Sequence, residues 1–323
     1  NGEFIWDDAW GGGSPDDYFE PFFNWPLVYL MGGSEHLLSL AERQFEAVTG
    51  QLMRLGSYHK DYGFREDQMH QSEADELFYH LCLAAPTSTR RLELAKRFAG
   101  FYLNEDKEAI NYDPEHRVVL SGLNGSKGAI VTDGADGREY SPVGTTMEPY
   151  GLPFFDLPGI ESVKDLADPA NAKRMGAAMQ QRWKAGDAPA NLAITSMMTN
   201  AFMLTQQEKY RDWVVEYTDA WLQRAQDNGG LLPDQIGPSG KVGEFVDGKW
   251  YGGRYGWTFP HGFLTMHFAT VDAGANAYLL TRDEKYLELP RQQMDRILEL
   301  GEMRDHRQEH MSVGEEWKKQ LDT

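Results

Sequence analysis

"AFMLTQQEKYRDWVVEYTDAWLQ" at 201–223 and "AYLLTRDEKYLELPRQQMDRILE" at 277–299 run in one frame: small, aromatic, two apolar residues, Thr, two polar residues, then Glu-Lys-Tyr. Each copy reads as the end of one helix, a tight turn and a second, amphipathic helix, which is a helical hairpin. "VYLMGGSEHLLSLAERQFEAVTG" at 28–50 fits the same frame without the Glu-Lys-Tyr identity, and "LCLAAPTSTRRLELAKRFAGFYL" at 81–103 fits more loosely. A repeat of this kind means an array of one supersecondary unit.

Helical periodicity places helices at 16–31, 35–54, 67–85, 88–104, 169–184, 190–204, 207–226, 263–281 and 283–300. The expected pairs are 16–31 with 35–54, 67–85 with 88–104, 190–204 with 207–226, and 263–281 with 283–300. First members are richer in apolar and small residues ("NLAITSMMTNAFML"), and second members carry more charge on one face. First members therefore line an inner ring and second members an outer one. The fold class is all-α, a closed or partly closed ring of hairpins in a single domain over 1–323.

Turns from inner to outer helix are short ("GGS", "PTS", "QQE", "RDE"), whereas the connections from outer to inner helix are long: about 55–66, 105–168 and 227–262, with 1–15 before the first helix. In a ring, all the long segments emerge on one face, and binding groups concentrate on loops held by a rigid scaffold. The segment 105–168, rich in Gly, Pro and Asp with short β-branched runs, reads as a small β insertion or lid. The stretch at 229–253 reads as a hairpin turning at Asp247-Gly248.

Composition narrows the function. Against 31 Lys and Arg stand 50 Asp and Glu, a net charge of −19, so the general field repels nucleic acid and anionic membranes. One cysteine, Cys82, excludes an intramolecular disulfide framework and reads as a core residue. No stretch approaches the roughly 20 apolar residues of a membrane span. The chain starts without Met and ends in a charged, helix-like segment, which fits a mature form or a fragment of something longer.

The loop face collects the candidate residues. Its N-terminal segment offers Trp6, Trp10, Asp7, Asp8, Asp16, Asp17, Glu20, Asn24 and Trp25; the second offers Tyr58, His59, Asp61, Tyr62, Arg65, Glu66, His70 and Glu73. The segment before the last inner helix offers Asp234, Glu244, Trp250, Tyr251, Arg254, Tyr255, Trp257 and His261. Aromatic rings beside carboxylates, amides and guanidinium groups are what a sugar site needs, because a pyranose presents an apolar face and hydroxyls around its edge.

The hairpin frame "LLTRDEKY"/"MLTQQEKY", the "NGGLLPD" turn after an outer helix and the aromatic-Gly loop "YGGRYGWTFPHG" resemble carbohydrate-active enzymes built on an (α/α) toroid. That grouping includes polysaccharide lyases and unsaturated glucuronyl hydrolases. The resemblance covers most of 16–300 apart from the insertion. It implies an oligo- or polysaccharide substrate on the loop face, and it fits a secreted or periplasmic enzyme.

Two mechanisms compete. A lyase acting on a uronic acid needs a cation or amide on the carboxylate, a base and an acid. Arg254, Tyr255 and His261 have those types, with Asn24, His59 and Tyr58 able to share the work, and Arg254 a source of the charge that would lower a tyrosine's pKa. Asn24, Trp25, Trp250, Tyr251, Trp257, Glu20, Asp16 and Asp234 then hold substrate. A hydrolase instead needs two carboxyl groups, with Asp16, Asp17, Glu20, Glu66, Asp67, Glu73 and Asp234 as candidates. The concentration of acid, base and cation types at 250–263 favours the lyase.

No cofactor is expected. His70 and Glu73 share a helix face at i, i+3 without a recognised metal pattern, and "DGADG" at 133–137 leaves a structural divalent cation such as calcium open. "NGS" at 124–126 is a glycosylation sequon. A ring of hairpins could also be a non-catalytic glycan-binding scaffold.

Overall fold

The structure, a computed structural model, describes residues 2–4, 14–131, 139–259 and 262–301. Among the described residues the chain is mostly helical: α1 Trp25–Leu30, α2 Glu35–Arg54, α3 Gln68–Ala84, α4 Thr89–Tyr102, α5 Pro169–Trp183, α6 Ile194–Thr205, α7 Glu208–Asp227, α8 Phe263–Thr281 and α9 Glu288–Leu300. Ser34, Asp67 and Ser88 cap α2, α3 and α4 by accepting from the backbone N–H groups of His36, His70 and Arg91. Each such cap satisfies a donor that the helix itself leaves open.

The repeat has a local chemical basis. Thr205 Oγ1 donates to the Ala201 carbonyl and accepts from the Gln207 N–H; Thr281 Oγ1 does the same with Ala277 and Asp283. Gln206 and Arg282, next in line, both take the left-handed conformation, φ 57° and 62°, which turns the chain at a helix end. Tyr210 and Tyr286 of the two Glu-Lys-Tyr triplets are buried, each with the preceding Lys ammonium over its ring. Turn and anchor therefore recur together.

α1, α3, α6 and α8 pack successively against one another. Outside them α2 lies against α1 and α3, α4 against α3 and α6, α7 against α6 and α8, and α9 against α8. The expected first and second members thus form two layers around one core that runs from Phe45 and Phe78 to Trp213, Tyr217 and Trp221. One expected helix is interrupted. Over 16–31 a short 3-10 turn at Asp16–Tyr18 gives way to turns before α1 begins, because Pro21 and Pro26 cannot donate to a continuous ladder.

Among the described residues five short strands lie in the long connections: β1 Tyr58–His59, β2 Tyr62–Glu66, β3 Tyr112–Asp113, β4 Val118–Val119 and β5 Asn124–Gly125. β1 pairs with β2, and β2 with β5 across a register shift between Phe64 and Glu66; β3 pairs with β4. Beyond β5, the described part of 105–168 folds as turns over a small separate core in which Leu152, Phe154, Ile160 and Leu166 meet Met175 and Ala178 of α5. Asp247 and Gly248 do form a turn, both at positive φ. The expected hairpin ladder there reduces to isolated bridges from Ile236 to Asp187 and Val242.

A buried polar chain ties these layers together. Gln68 donates to Tyr102 Oη and Asn124 Oδ1, Asn124 donates to Asn191 Oδ1, Asn191 donates to Asp187, and Tyr217 Oη donates to Asp187. Asn124, the sequon residue, is 1% exposed and fully engaged, so the fold closes it to glycosylation. No helix among the described residues is long and apolar enough to cross a membrane.

Candidate acid–base site at the start of the third helix

β2 ends at Glu66 and α3 starts behind its cap, Asp67, so this corner delivers two consecutive carboxyl groups. Asp67 turns its carboxylate to the His70 backbone N–H at 3.2 Å, His70 Nδ1 at 2.8 Å, the Arg254 guanidinium at 3.2 Å and the Tyr255 hydroxyl. Burial alone would raise its pKa, but the His70 hydrogen bond and the Arg254 charge outweigh it and hold Asp67 at about 2. Reciprocally, the bond to Asp67 lifts His70 to about 9. Asp67 and His70 are therefore both charged at neutral pH, beside the Arg254 guanidinium.

Around this fixed triplet lie carboxyl groups that bind protons more tightly than usual. Glu66 is pushed up to about 6 by burial and then by the Asp67 charge. Glu73, one turn beyond His70, is pushed up to about 7 by burial and by Asp16, with which it shares a hydrogen bond. Glu20 is raised by burial and by the Asp16 and Asp17 charges. Oxygens of Asp16, Glu20 and Glu73 lie within 4.8 Å of one another. The hydrogen bond between the Glu73 and Asp16 carboxyls requires a proton on one of them.

Tyr255 closes the cluster. Its ring meets the His70 imidazole edge-on at 5.7 Å, and it adopts φ 50°, a conformation that a ring-bearing residue rarely takes and that functional sites store. Burial and then the Asp67 charge push its phenol well above the ordinary tyrosine value, against the opposing pull of Arg254. Arg254 does pull this tyrosine towards acidity, as expected of its charge, but burial and the Asp67 carboxylate outweigh it. The cluster reaches solvent, with the His70 and Arg254 side chains 26% and 27% exposed.

The aromatic-Gly loop is built around Asp234. Its carboxylate accepts from the backbone N–H groups of Gly252, Gly253 and Trp257, and a Cβ would collide with the Asp234 backbone carbonyl at Gly253 and with the carboxylate at Gly256. These two glycines admit backbone close to Asp234. Asp234 is fully buried, and its three backbone donors make it the point that organises the loop. Trp257 donates its indole N–H to the Leu232 carbonyl and packs against the core, with Trp250 at 6.3 Å and Tyr251 beyond it.

The structure brings Arg254, Tyr255, Asp16 and Glu20 of the expected residues together with Glu66, Asp67, His70 and Glu73. It places others elsewhere. Tyr58 is buried, stacked on Phe19, with burial holding its phenol protonated; a closed core position gives it no route to a substrate. His59 Nδ1 faces the Ser126 carbonyl on the hairpin side of β1. Trp25 packs edge-on against Phe22, and Asn24 is exposed. His261, Trp6, Trp10, Asp7, Asp8 and the 133–137 loop lie outside the described residues.

Asp67 and His70 at i, i+3 are the pair that sequence reasoning underrated. Their signal is "EDQMH", a cap Asp with His at the third helical position. For a metal, Asp16, Glu20 and Glu73 supply oxygens suited to a hard cation such as calcium, which would replace the proton shared by Asp16 and Glu73. His70 is held by Asp67 instead of pairing with Glu73.

A two-layered helical array that carries clustered carboxyl groups with raised proton affinity beside a charged Asp–His–Arg triplet has the parts of an acid–base site. The chain belongs to the family described as Domain of unknown function (DUF8034), which matches residues 1–323. No curated protein and no solved structure matches the chain.

Proposed function

We propose that the hairpin array is an (α/α) toroid, closed or partly closed, and that the protein is a carbohydrate-active enzyme that hydrolyses a glycosidic bond at the corner between β2 and α3. What carries the reading is the Glu73 carboxyl, protonated up to about pH 7 within a few ångströms of Asp16. A general acid must hold its proton at working pH while a second carboxyl is ionised. Glu73 gives its proton to the leaving oxygen. Glu66 activates the attacking water or attacks the sugar itself, and water completes the cleavage.

Elimination, the reaction favoured by residue types alone, finds less support. Its tyrosine would have to lose a proton that burial and the Asp67 carboxylate hold in place. Its arginine would have to leave that same carboxylate to bind the substrate's.

The test is to incubate the protein with a panel of neutral and uronic-acid oligosaccharides and follow both new reducing ends and the ultraviolet absorbance of an unsaturated product. Reducing ends without absorbance are expected, on a bell-shaped pH profile rising through about 6, as Glu66 ionises, and falling through about 7, as Glu73 loses its proton. Glu73→Gln lowers the rate by about 100-fold or more without loss of melting temperature. Rising absorbance would return the assignment to elimination.

A further inference from the structure

The Asp16–Tyr18 turn packs on α3, and this contact sets Asp16 and Glu20 against Glu73. The Asp16 carbonyl accepts from the Glu20 N–H, a helical i, i+4 spacing that puts both side chains on one face. Oxygens of the three carboxyl groups lie within 4.8 Å of one another. Acidic side chains crowd many surfaces, so proximity alone would mean little. Asp16 supplies the second observation. It is 5% exposed, and its Oδ1 is buried without an N–H or O–H partner among the described residues. Such an oxygen is costly to bury unless positive charge meets it.

Among the described residues no Lys or Arg pairs with any of the three. The charges that act on Glu20 are those of Asp16 and Asp17, and Glu76 adds another acid nearby. Glu73 feels Asp16 and Glu20 against one imidazolium, His70, whose Nδ1 is bound to Asp67. Arg254 is paired to Asp67 as well. A set of oxygens alone selects a hard cation over zinc or copper, which favour imidazole and thiolate. Opposite ligands of a calcium ion stand about 4.6–5.2 Å apart, against about 4.2 Å for magnesium, so the 4.8 Å limit matches calcium. Glu20 is exposed and Glu73 half-buried, which leaves a side open for water to complete the roughly six to eight oxygens that calcium takes.

We propose that Asp16, Glu20 and Glu73 form a calcium site, in which the ion clamps the turn before α1 to α3. One consequence rests on the glycosidic reading above: an ion on the Glu73 carboxylate takes the place of the proton meant for the leaving oxygen, so calcium switches hydrolysis off. The site itself rests on the three oxygens and the buried Asp16 Oδ1.

The test is isothermal titration calorimetry of the full chain, stripped with a chelator, against calcium chloride and magnesium chloride. One calcium should bind per chain with a dissociation constant of about 0.1–1 mM, the range of exposed calcium modules, and magnesium should bind about tenfold more weakly or less. Asp16→Asn and Glu20→Gln should each weaken calcium about tenfold or more. Asp17→Asn, which removes a neighbouring charge and none of the three ligands, should stay within about threefold. Glu20 is exposed, so Glu20→Gln reports on the site whatever Asp16→Asn does to the fold. Calcium should also raise the melting temperature of the parent and not that of Glu20→Gln. The proposal is overturned by absence of saturable binding, by magnesium binding as tightly as calcium, by unchanged affinity in both ligand variants, or by an equal loss in Asp17→Asn, which would mark diffuse attraction to an acidic surface. In the hydrolysis assay calcium should lower the rate, and a chelator should restore it. Calcium that binds at these residues and leaves the rate unchanged would overturn the role of Glu73 and leave the site standing. Hydrolysis that is lost in Glu73→Gln, in a parent that binds no calcium, would do the reverse.

Discussion

Asp234 and Glu73 are both carboxyl groups that burial pushes up, to about 6 and about 7 respectively, yet their surroundings differ in kind. Asp234 faces three backbone N–H groups, donors that cannot turn away. Glu73 faces another carboxyl, beside an imidazolium that pulls the other way. A shifted proton affinity thus has two meanings. Where fixed donors surround it, the carboxylate holds a loop in place; where titratable groups surround it, the proton has somewhere to go.

The sharpest way to break this comparison is Asp234→Ala. Three buried N–H groups would lose their acceptor, and the loop that carries Arg254 and Tyr255 would lose the point around which it is wound. We expect a loss of about 3 kcal/mol or more, read from urea unfolding, with Asp234→Asn losing less because it keeps one acceptor oxygen. An unchanged midpoint for Asp234→Ala would mean that the loop is held by Trp257 and its neighbours instead.

A smaller effect follows from titration alone. Asp75, pushed up to about 8 by burial, with Glu73, Glu66, Asp187 and Asp234, all hold folded-state values above their ordinary ones. A raised carboxyl stabilises the fold while protonated, and that contribution is lost as pH rises through its folded value. His70, raised to about 9, likewise contributes fully below its ordinary value of 6.5 and loses that contribution as pH rises through about 9. The melting temperature should therefore fall between pH 5 and pH 9. Asp67 runs the opposite way. Its stabilisation is present above the ordinary value of 3.8 and lost as pH falls through about 2, so the decline at low pH is confined to the acid end. A melting temperature that rises from pH 5 to pH 9 would show that the buried carboxyls are hydrated.

The helices were legible because their determinants are local. The Thr205 and Thr281 turns, the Ser34 and Ser88 caps and the buried tyrosines of Glu-Lys-Tyr all act within a few residues, so sequence spacing carries them. Pro21 and Pro26 were equally visible, and they should have outweighed the helical periodicity over 16–31. The site was only half legible. Asp67 and Arg254 meet across 187 positions, and nothing near Asp67 in the chain announces its partner. Nor could residue type separate Asp234 from Glu73 among 50 acidic residues, because the distinction lies in which donors the fold brings to each.

The smallest expected effect belongs to the residue that sequence reasoning ranked first. Tyr255→Phe removes a phenol whose proton is held by burial and by Asp67, and it keeps the ring that packs edge-on against His70. If Glu73 is the proton donor, hydrolysis should stay within about tenfold of the parent, with the acid limb of the pH profile unmoved. Small movement of the alkaline limb is the trace the phenol would leave, through its hydrogen bond to Asp67 and the Asp67 bond to His70, whose charge lowers Glu73. A fall of 100-fold or more in Tyr255→Phe, with Glu73→Gln active, would exchange the two roles: the tyrosine would be the group that transfers the proton, and the raised affinity of Glu73 would be a by-product of crowding with Asp16.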